Sequence, residues 1–102
     1  MKIKKIKTLK VNSTTFKIEW KKDQWGASFD YGTSIIGIGT LNSTNEQILM
    51  KICHELQEIC ALEMSVRFGR PDCTTDYVFV YDHRQHDTMM DMFAGLLYQF
   101  IA

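Results

Sequence analysis

The hydrophobic period of this chain changes once, and that change constrains the fold more than any other feature. Leu9 and Val11, then Phe16, Ile18 and Trp20, alternate with Lys10, Lys17, Glu19 and Lys21. From about residue 44 the spacing widens, and Leu49, Ile52, Cys53, Leu56, Ile59 and Cys60 recur at three- and four-residue intervals. A period of two puts alternate side chains on opposite faces of a strand, whereas a period near 3.6 lines one side of a helix. A half-buried sheet must therefore form first and a long helix must cover it. With 102 residues there is chain for one such core.

The punctuation between these segments completes the outline. Asn12 to Thr15, "NSTT", supplies turn residues for an N-terminal hairpin. "ASFDYG" reads as a further short strand or arm, and "TSIIGIG" as a β-branched strand bounded by glycine. Gly37 and Gly39 make no dinucleotide fingerprint, because the third glycine and the following helix are missing at the required place. Ser43, with Glu46 three residues on, forms a capping box that opens a helix over roughly 44–66. "FGRPDCT" ends it, with Gly69 and Pro71 as breakers, and "DYVFVYD" is a strand from Asp76 to Asp82. "HRQHDTMMDMFAGLLYQFIA" closes the chain as a second helix striped by Met89, Phe93, Leu96, Leu97 and Phe100. The expected fold is α+β over 1–102 as a single domain: a small antiparallel or mixed sheet, the N-terminal hairpin plus further strands, packed against two helices.

Composition narrows the function classes. Formal net charge is zero, so no overall field selects nucleic acid or membrane. Residues 1–22 nevertheless hold eight lysines against Glu19 alone, a local balance of +7 that the remaining residues cancel. Such a strip can hold phosphates or an acidic partner, but its alternation with apolar residues favours lysines on the solvent face of edge strands. Nucleic-acid binding is further disfavoured because Phe16 and Trp20 have the opposite parity to Lys17 and Lys21, so aromatics do not interleave with the lysines on one face. Cys53, Cys60 and Cys73 are an odd number without C-x-x-C spacing, which argues against a disulfide framework, a zinc finger or a thioredoxin-like pair. The basic start lacks the apolar stretch of a signal peptide, and no run is long enough to span a bilayer. A reducing cytoplasm is the expected setting.

Within "KICHELQEIC" the helix carries His54-Glu55-Leu56-Gln57-Glu58. Residues four apart stand one turn above each other, so His54 and Glu58 converge with Glu55 beside them. An imidazole and a carboxylate can hold a divalent metal, coordination brings the pKa of water to about 7, and an adjacent carboxylate can take the released proton. The row Gln47, Lys51, His54, Glu58, Ala61 is also polar enough to be an ordinary solvated face. A third ligand would decide between the two readings. Candidates are His83, His86, Asp87 and Asp91, and Asp87 also suits an N-cap or first-turn role. A Cys73/His83/His86 grouping matches no standard ligand spacing.

Taken together, the two helices resemble those of zinc peptidases of the ImmA/IrrE type. These carry H-E-x-x-H on one helix and begin a later helix with E-x-x-A-N-x-F-A-x-x-L-L, whose leading Glu is the third ligand. Here "DTMMDMFAGLLY" runs in the same register: Asp87 falls at the third-ligand position, Met90 at the Ala and Asp91 at the Asn, while Phe93, Ala94 and Leu97 match. The strand "SIIGIG", the polar loop after it and the HE helix follow that family's order, so the likeness spans roughly Asp30 to Ile101. More closely, the chain resembles small phage and prophage proteins built as a shortened zincin-like core with H-E-x-x-H or H-E-x-x-E.

The resemblance implies His54 as a ligand, Glu55 as general base, Glu58 in place of the second His and Asp87 in place of the ligand Glu. Two carboxylates and one imidazole make a hard, anionic site that suits zinc less and manganese or magnesium more. They also weaken the Lewis acidity of a bound ion. Two functions follow as expectations. One is a metal-dependent hydrolase of the peptidase type, weakly active or inactive, with zinc or manganese as cofactor. The other is a non-catalytic module of a phage or prophage that binds a host protein, such as a defence or regulatory factor, with Trp20 and Trp25 as candidate anchors.

Overall fold

The computed structural model of the chain describes residues 2–65, 67–69 and 77–101. Four strands, β1 (Thr8–Val11), β2 (Thr14–Lys21), β3 (Ala27–Asp30) and β4 (Ile35–Gly39), form one sheet in the order β1-β2-β4-β3. β1 and β2 are the expected hairpin, turned by Asn12 at φ 54°, a left-handed conformation that asparagine tolerates well. β4 then enters between β2 and β3, parallel to β2 and antiparallel to β3, so the sheet is mixed. Its sequence suits that place: Ile35, Ile36 and Ile38 are β-branched, and continuous apolar strands belong in sheet centres.

Two helices, α1 (Asn45–Glu63) and α2 (His83–Tyr98), cover one face of this sheet. The core joins Leu9, Val11, Phe16, Ile18, Ile36 and Ile38 of the strands to Ile48, Ile52, Leu56, Ile59 and Cys60 of α1, to Leu96 of α2 and to Phe100 just beyond it. Lys10 and Lys17 stand exposed on the other side, opposite in parity to Phe16 and Ile18. β2 is an inner strand rather than an edge, so Lys17 decorates the sheet's open face, and only β1 carries its lysine on an edge. On that open face the Lys21 stem lies over Gly37, where a Cβ would come within 3.2 Å of its Cε.

α2 starts at His83 as the sequence suggested, but the cap of α1 and the place of Asp87 differ from the sequence reading. Thr44 rather than Ser43 caps α1, its side chain accepting from the Gln47 backbone at 3.2 Å while Gln47 Oε1 accepts from the Thr44 N–H at 2.9 Å. Ser43 is engaged elsewhere: its hydroxyl donates to the Leu41 carbonyl at 2.9 Å and receives Lys51 Nζ at 2.7 Å. Asp82 with Gln85 forms the capping box of α2, which places Asp87 in the second turn and not at the cap. α1 ends at Glu63, and a short strand β5 (Arg67–Gly69) follows where the sequence suggested only a break. It pairs antiparallel with β6 (Tyr77–Phe79), which lies within the expected Asp76–Asp82 strand and ends three residues earlier. Pro71 and Cys73 lie outside the described residues.

The core makes two stability outcomes measurable. Phe100→Ala removes a side chain with no solvent exposure and should lower the unfolding free energy by about 3–5 kcal/mol in chemical denaturation. Gly39→Ala should cost about 1–3 kcal/mol although glycine is the weaker strand former, because its Cβ would press on the Gly26 carbonyl oxygen and lie 2.5 Å from that of Gln24.

Candidate metal centre

Burial of one stripe of α1 determines what its next stripe faces. Ile48, Ile52, Leu56 and Ile59 point into the sheet. His54, Gln57, Glu58 and Ala61 recur at i, i+3, i+4 and i+7 and line a cavity of about 580 Å³. α2 presents the same spacing from the other side, through His86, Met89, Met90 and Phe93, and Phe79 and Tyr81 add to the wall with Cys60. The polar row of α1 is thus only partly a solvated face. Ala61 at its C-terminal end is fully buried, and Lys51 near its other end is held by the Gly39 carbonyl at 3.2 Å and by Ser43.

At this cavity the expected convergence on α1 is present. His54 Nε2 lies 2.9 Å from Glu58 Oε2. His54, Glu55 and Glu58 each place one ligand atom so that all lie within 4.8 Å of one another. Their surroundings differ: the His54 side chain is 71% exposed and that of Glu58 21%, whereas Glu55 is only 6% exposed. Glu55 is the sole buried charged residue among the described residues. One imidazole and two carboxylates are a donor set that fits a divalent ion of zinc or manganese type.

Asp87 does not join this group. Residues on a helix are about 100° apart, so a side chain one position after His86 leaves the row that faces the cavity. The Asp87 carboxylate instead sits 3.4 Å from His83 Nδ1 and 4.0 Å from His86 Nδ1, and it is 65% exposed. Asp91, four residues on in the same row, is exposed as well. His83 also points outward, while the grouping of Cys73 with His83 and His86 lies outside the described residues through Cys73. His86 is the residue whose place the sequence did not distinguish. It lines the cavity, with its ring stacked on Tyr81 at 5.8 Å between centroids and 21° between planes. The available signal was its spacing to Met89, Met90 and Phe93.

The cysteines and tryptophans have structural surroundings. Burial, helped by the Glu63 carboxylate, pushes the Cys60 thiol up to about 11, and burial also raises Cys53. A thiolate is the reactive form, so Cys60 is unsuited to act as a nucleophile although it borders the cavity. Trp20 donates its indole N–H to the Ile6 carbonyl at 2.8 Å and meets Phe100 edge-on, which is a packing role. Trp25 is 57% exposed, with Lys51 Nζ 4.1 Å from its ring centroid, and this cation–π contact ties the β2–β3 loop to α1.

No protein family, no curated protein and no solved structure matches the chain. Among the described residues no helix is long and apolar enough to cross a membrane.

Alkylation tests the thiol environment. Cys60 should resist iodoacetamide in the folded protein at pH 7.5, as peptide mapping would show, and become reactive only on denaturation. Because its folded pKa is raised, Cys60 contributes stability that is complete at neutral pH and declines as pH climbs from 9.0 towards about 11.

Proposed function

We propose that this protein is a minimal zincin-like hydrolase of the peptidase type, metal-dependent and of low turnover, of the kind found in small phage and prophage proteins. The observation that carries the reading is the meeting of the His54, Glu55 and Glu58 ligand atoms within 4.8 Å beside a cavity large enough for a substrate side chain. His54 and Glu58 are the residues that would hold the ion. Once bound, a divalent ion supplies Lewis acidity and brings the pKa of water towards about 7. Glu55 follows His54 directly, and its carboxylate is placed to accept a proton there, the general-base role. Its shielding from solvent supports that role, since a water-excluded carboxylate interacts more strongly with nearby charge. Met89, Met90 and Phe93 give the cavity an apolar wall suited to an apolar side chain of a peptide.

Low turnover follows from the donor set. Each carboxylate that replaces an imidazole adds negative charge at the ion and reduces its pull on water or a carbonyl. A second reading, a non-catalytic module that binds a host protein, is favoured by one observation: Phe79, Tyr81 and Met90 at the cavity are exposed, as is the adjacent Val80. The two readings separate by mutation. Binding that survives loss of His54 and Glu55 belongs to the second.

The full-length protein should take up about one equivalent of zinc or manganese by elemental analysis, and His54→Ala should abolish uptake. Glu55→Gln should keep the ion and lower peptide hydrolysis by about 10²–10⁴-fold. A metal-free preparation that cannot be reloaded with either ion would remove the reading.

A further inference from the structure

We infer that His86 is the third protein ligand of this centre and that the ion, when held, bridges α1 and α2. The inference rests on the metal-dependent reading above. It replaces Asp87, which the sequence register favoured, with the residue one position earlier.

Two facing helix rows carry the assignment. Ala61, Glu58, Gln57 and His54 form one wall of the cavity, and His86, Met89, Met90 and Phe93 form the opposite wall. Of the titratable residues on α2, His86 alone is in that wall; His83, Asp87 and Asp91 are not among its lining residues. Its ring is oriented without being locked. One face is stacked on Tyr81, the Asp87 carboxylate lies 4.0 Å from Nδ1, and the side chain remains 48% exposed. At 4.0 Å that carboxylate is beyond hydrogen-bond reach, but it lies on the Nδ1 side of the ring, where closing the gap would let it hold the Nδ1 proton and leave Nε2 to ligate. Asp87 then acts as an outer partner of a ligand, not as a ligand itself.

Chemistry favours the same choice. The α1 group must supply both ligands and a base, and if Glu55 ligates, the base is lost. A ligand from the second helix frees Glu55 for the proton. It also changes the donor set from one imidazole and two carboxylates to two imidazoles and one carboxylate, the set found in catalytic zinc sites that keep an open position, and so removes the excess negative charge from which low turnover was argued. Selectivity should shift accordingly, towards zinc over manganese. His86 stands outside the group of ligand atoms that lie within 4.8 Å of one another, so binding requires its ring to swing inward from the cavity wall.

Zinc alone is the probe, titrated into the full-length protein against a chromophoric chelator. Wild type should bind zinc at least tenfold more tightly than manganese. His86→Ala should weaken zinc affinity by at least about 100-fold, the upper end of what loss of an outer partner already causes. His86→Asp, which keeps a ligand atom, should recover most of that loss, Asp87→Asn should cost about tenfold, the lower end of what loss of an outer partner causes, and His83→Ala should change nothing. Circular dichroism of each variant checks that α2 is still formed. Cobalt substitution gives an independent readout: the visible absorption band should shift in His86→Ala and stay in place in His83→Ala. If wild type binds zinc and His54→Ala does not, yet His86→Ala binds as wild type does, this inference falls and the metal reading stands. If Asp87→Asn rather than His86→Ala abolishes binding, the register reading was right. A wild type that takes up no zinc overturns both.

Discussion

The structure depends on the burial of one apolar stripe of α1 against the four-stranded sheet. Ile52, Leu56 and Ile59 are almost wholly excluded from water, and each such side chain contributes about 1.5–3 kcal/mol relative to exposure. A helix has only one rotation that buries this stripe. With it set, His54, Gln57, Glu58 and Ala61 have to face sideways, into the space that α2 closes. Glu55 lies beside the buried Leu56 and is carried inside with it. The site is therefore a by-product of core packing in position, though not in chemistry: nothing in the packing requires the side chains at 54, 55 and 58 to be metal ligands.

A few polar contacts hold the frame around that stripe. Lys51 joins α1 to the Gly39 carbonyl, to Ser43 and to the Trp25 ring, so one cation fastens the end of β4, the helix entry and the β2–β3 loop. Gly39 admits that loop because a side chain there would meet its backbone. At the far end the chain terminus returns to the sheet: Lys4 donates to the Phe100 carbonyl at 2.6 Å, and the Gln99 amide bonds the backbone of Lys10 in both directions. These contacts tie the end of α2 to β1 and to the N-terminal segment. The uneven charge has a plain structural outlet, since Lys10 of β1 and Lys17 of β2 stand in water while their apolar neighbours face the helices.

The chemistry that this arrangement permits is bounded by its donors. His54 and Glu58 already touch at 2.9 Å, which shows that the two groups reach a common point. Glu55 is buried beside them, with its carboxylate in the same group of ligand atoms. Against this, the cavity walls away from the carboxylates are largely apolar, built from Met89, Met90, Phe93 and Ala61. A polar centre next to an apolar recess is the form in which a small protein can both hold an ion and grip an apolar side chain.

Legibility in the sequence followed the range of the forces involved. The strand alternation at Leu9–Lys21, the helical period of α1 and the pairing of His54 with Glu58 were readable, because periodicity and i, i+4 proximity are local consequences of backbone geometry. The capping boxes were half readable. Ser43 and Thr44 both satisfy the pattern, and the choice fell to Thr44 because Ser43 is engaged by Leu41 and by Lys51 from a later turn. What only the tertiary structure decided was non-local: the insertion of β4 between β2 and β3, and above all the rotation of α2, which puts His86 on the cavity and Asp87 in water. Sequence spacing says which residues share a helix face. Which face meets a partner is settled by packing against chain far away, and a rotation of one residue, about 100°, exchanges an imidazole for a carboxylate.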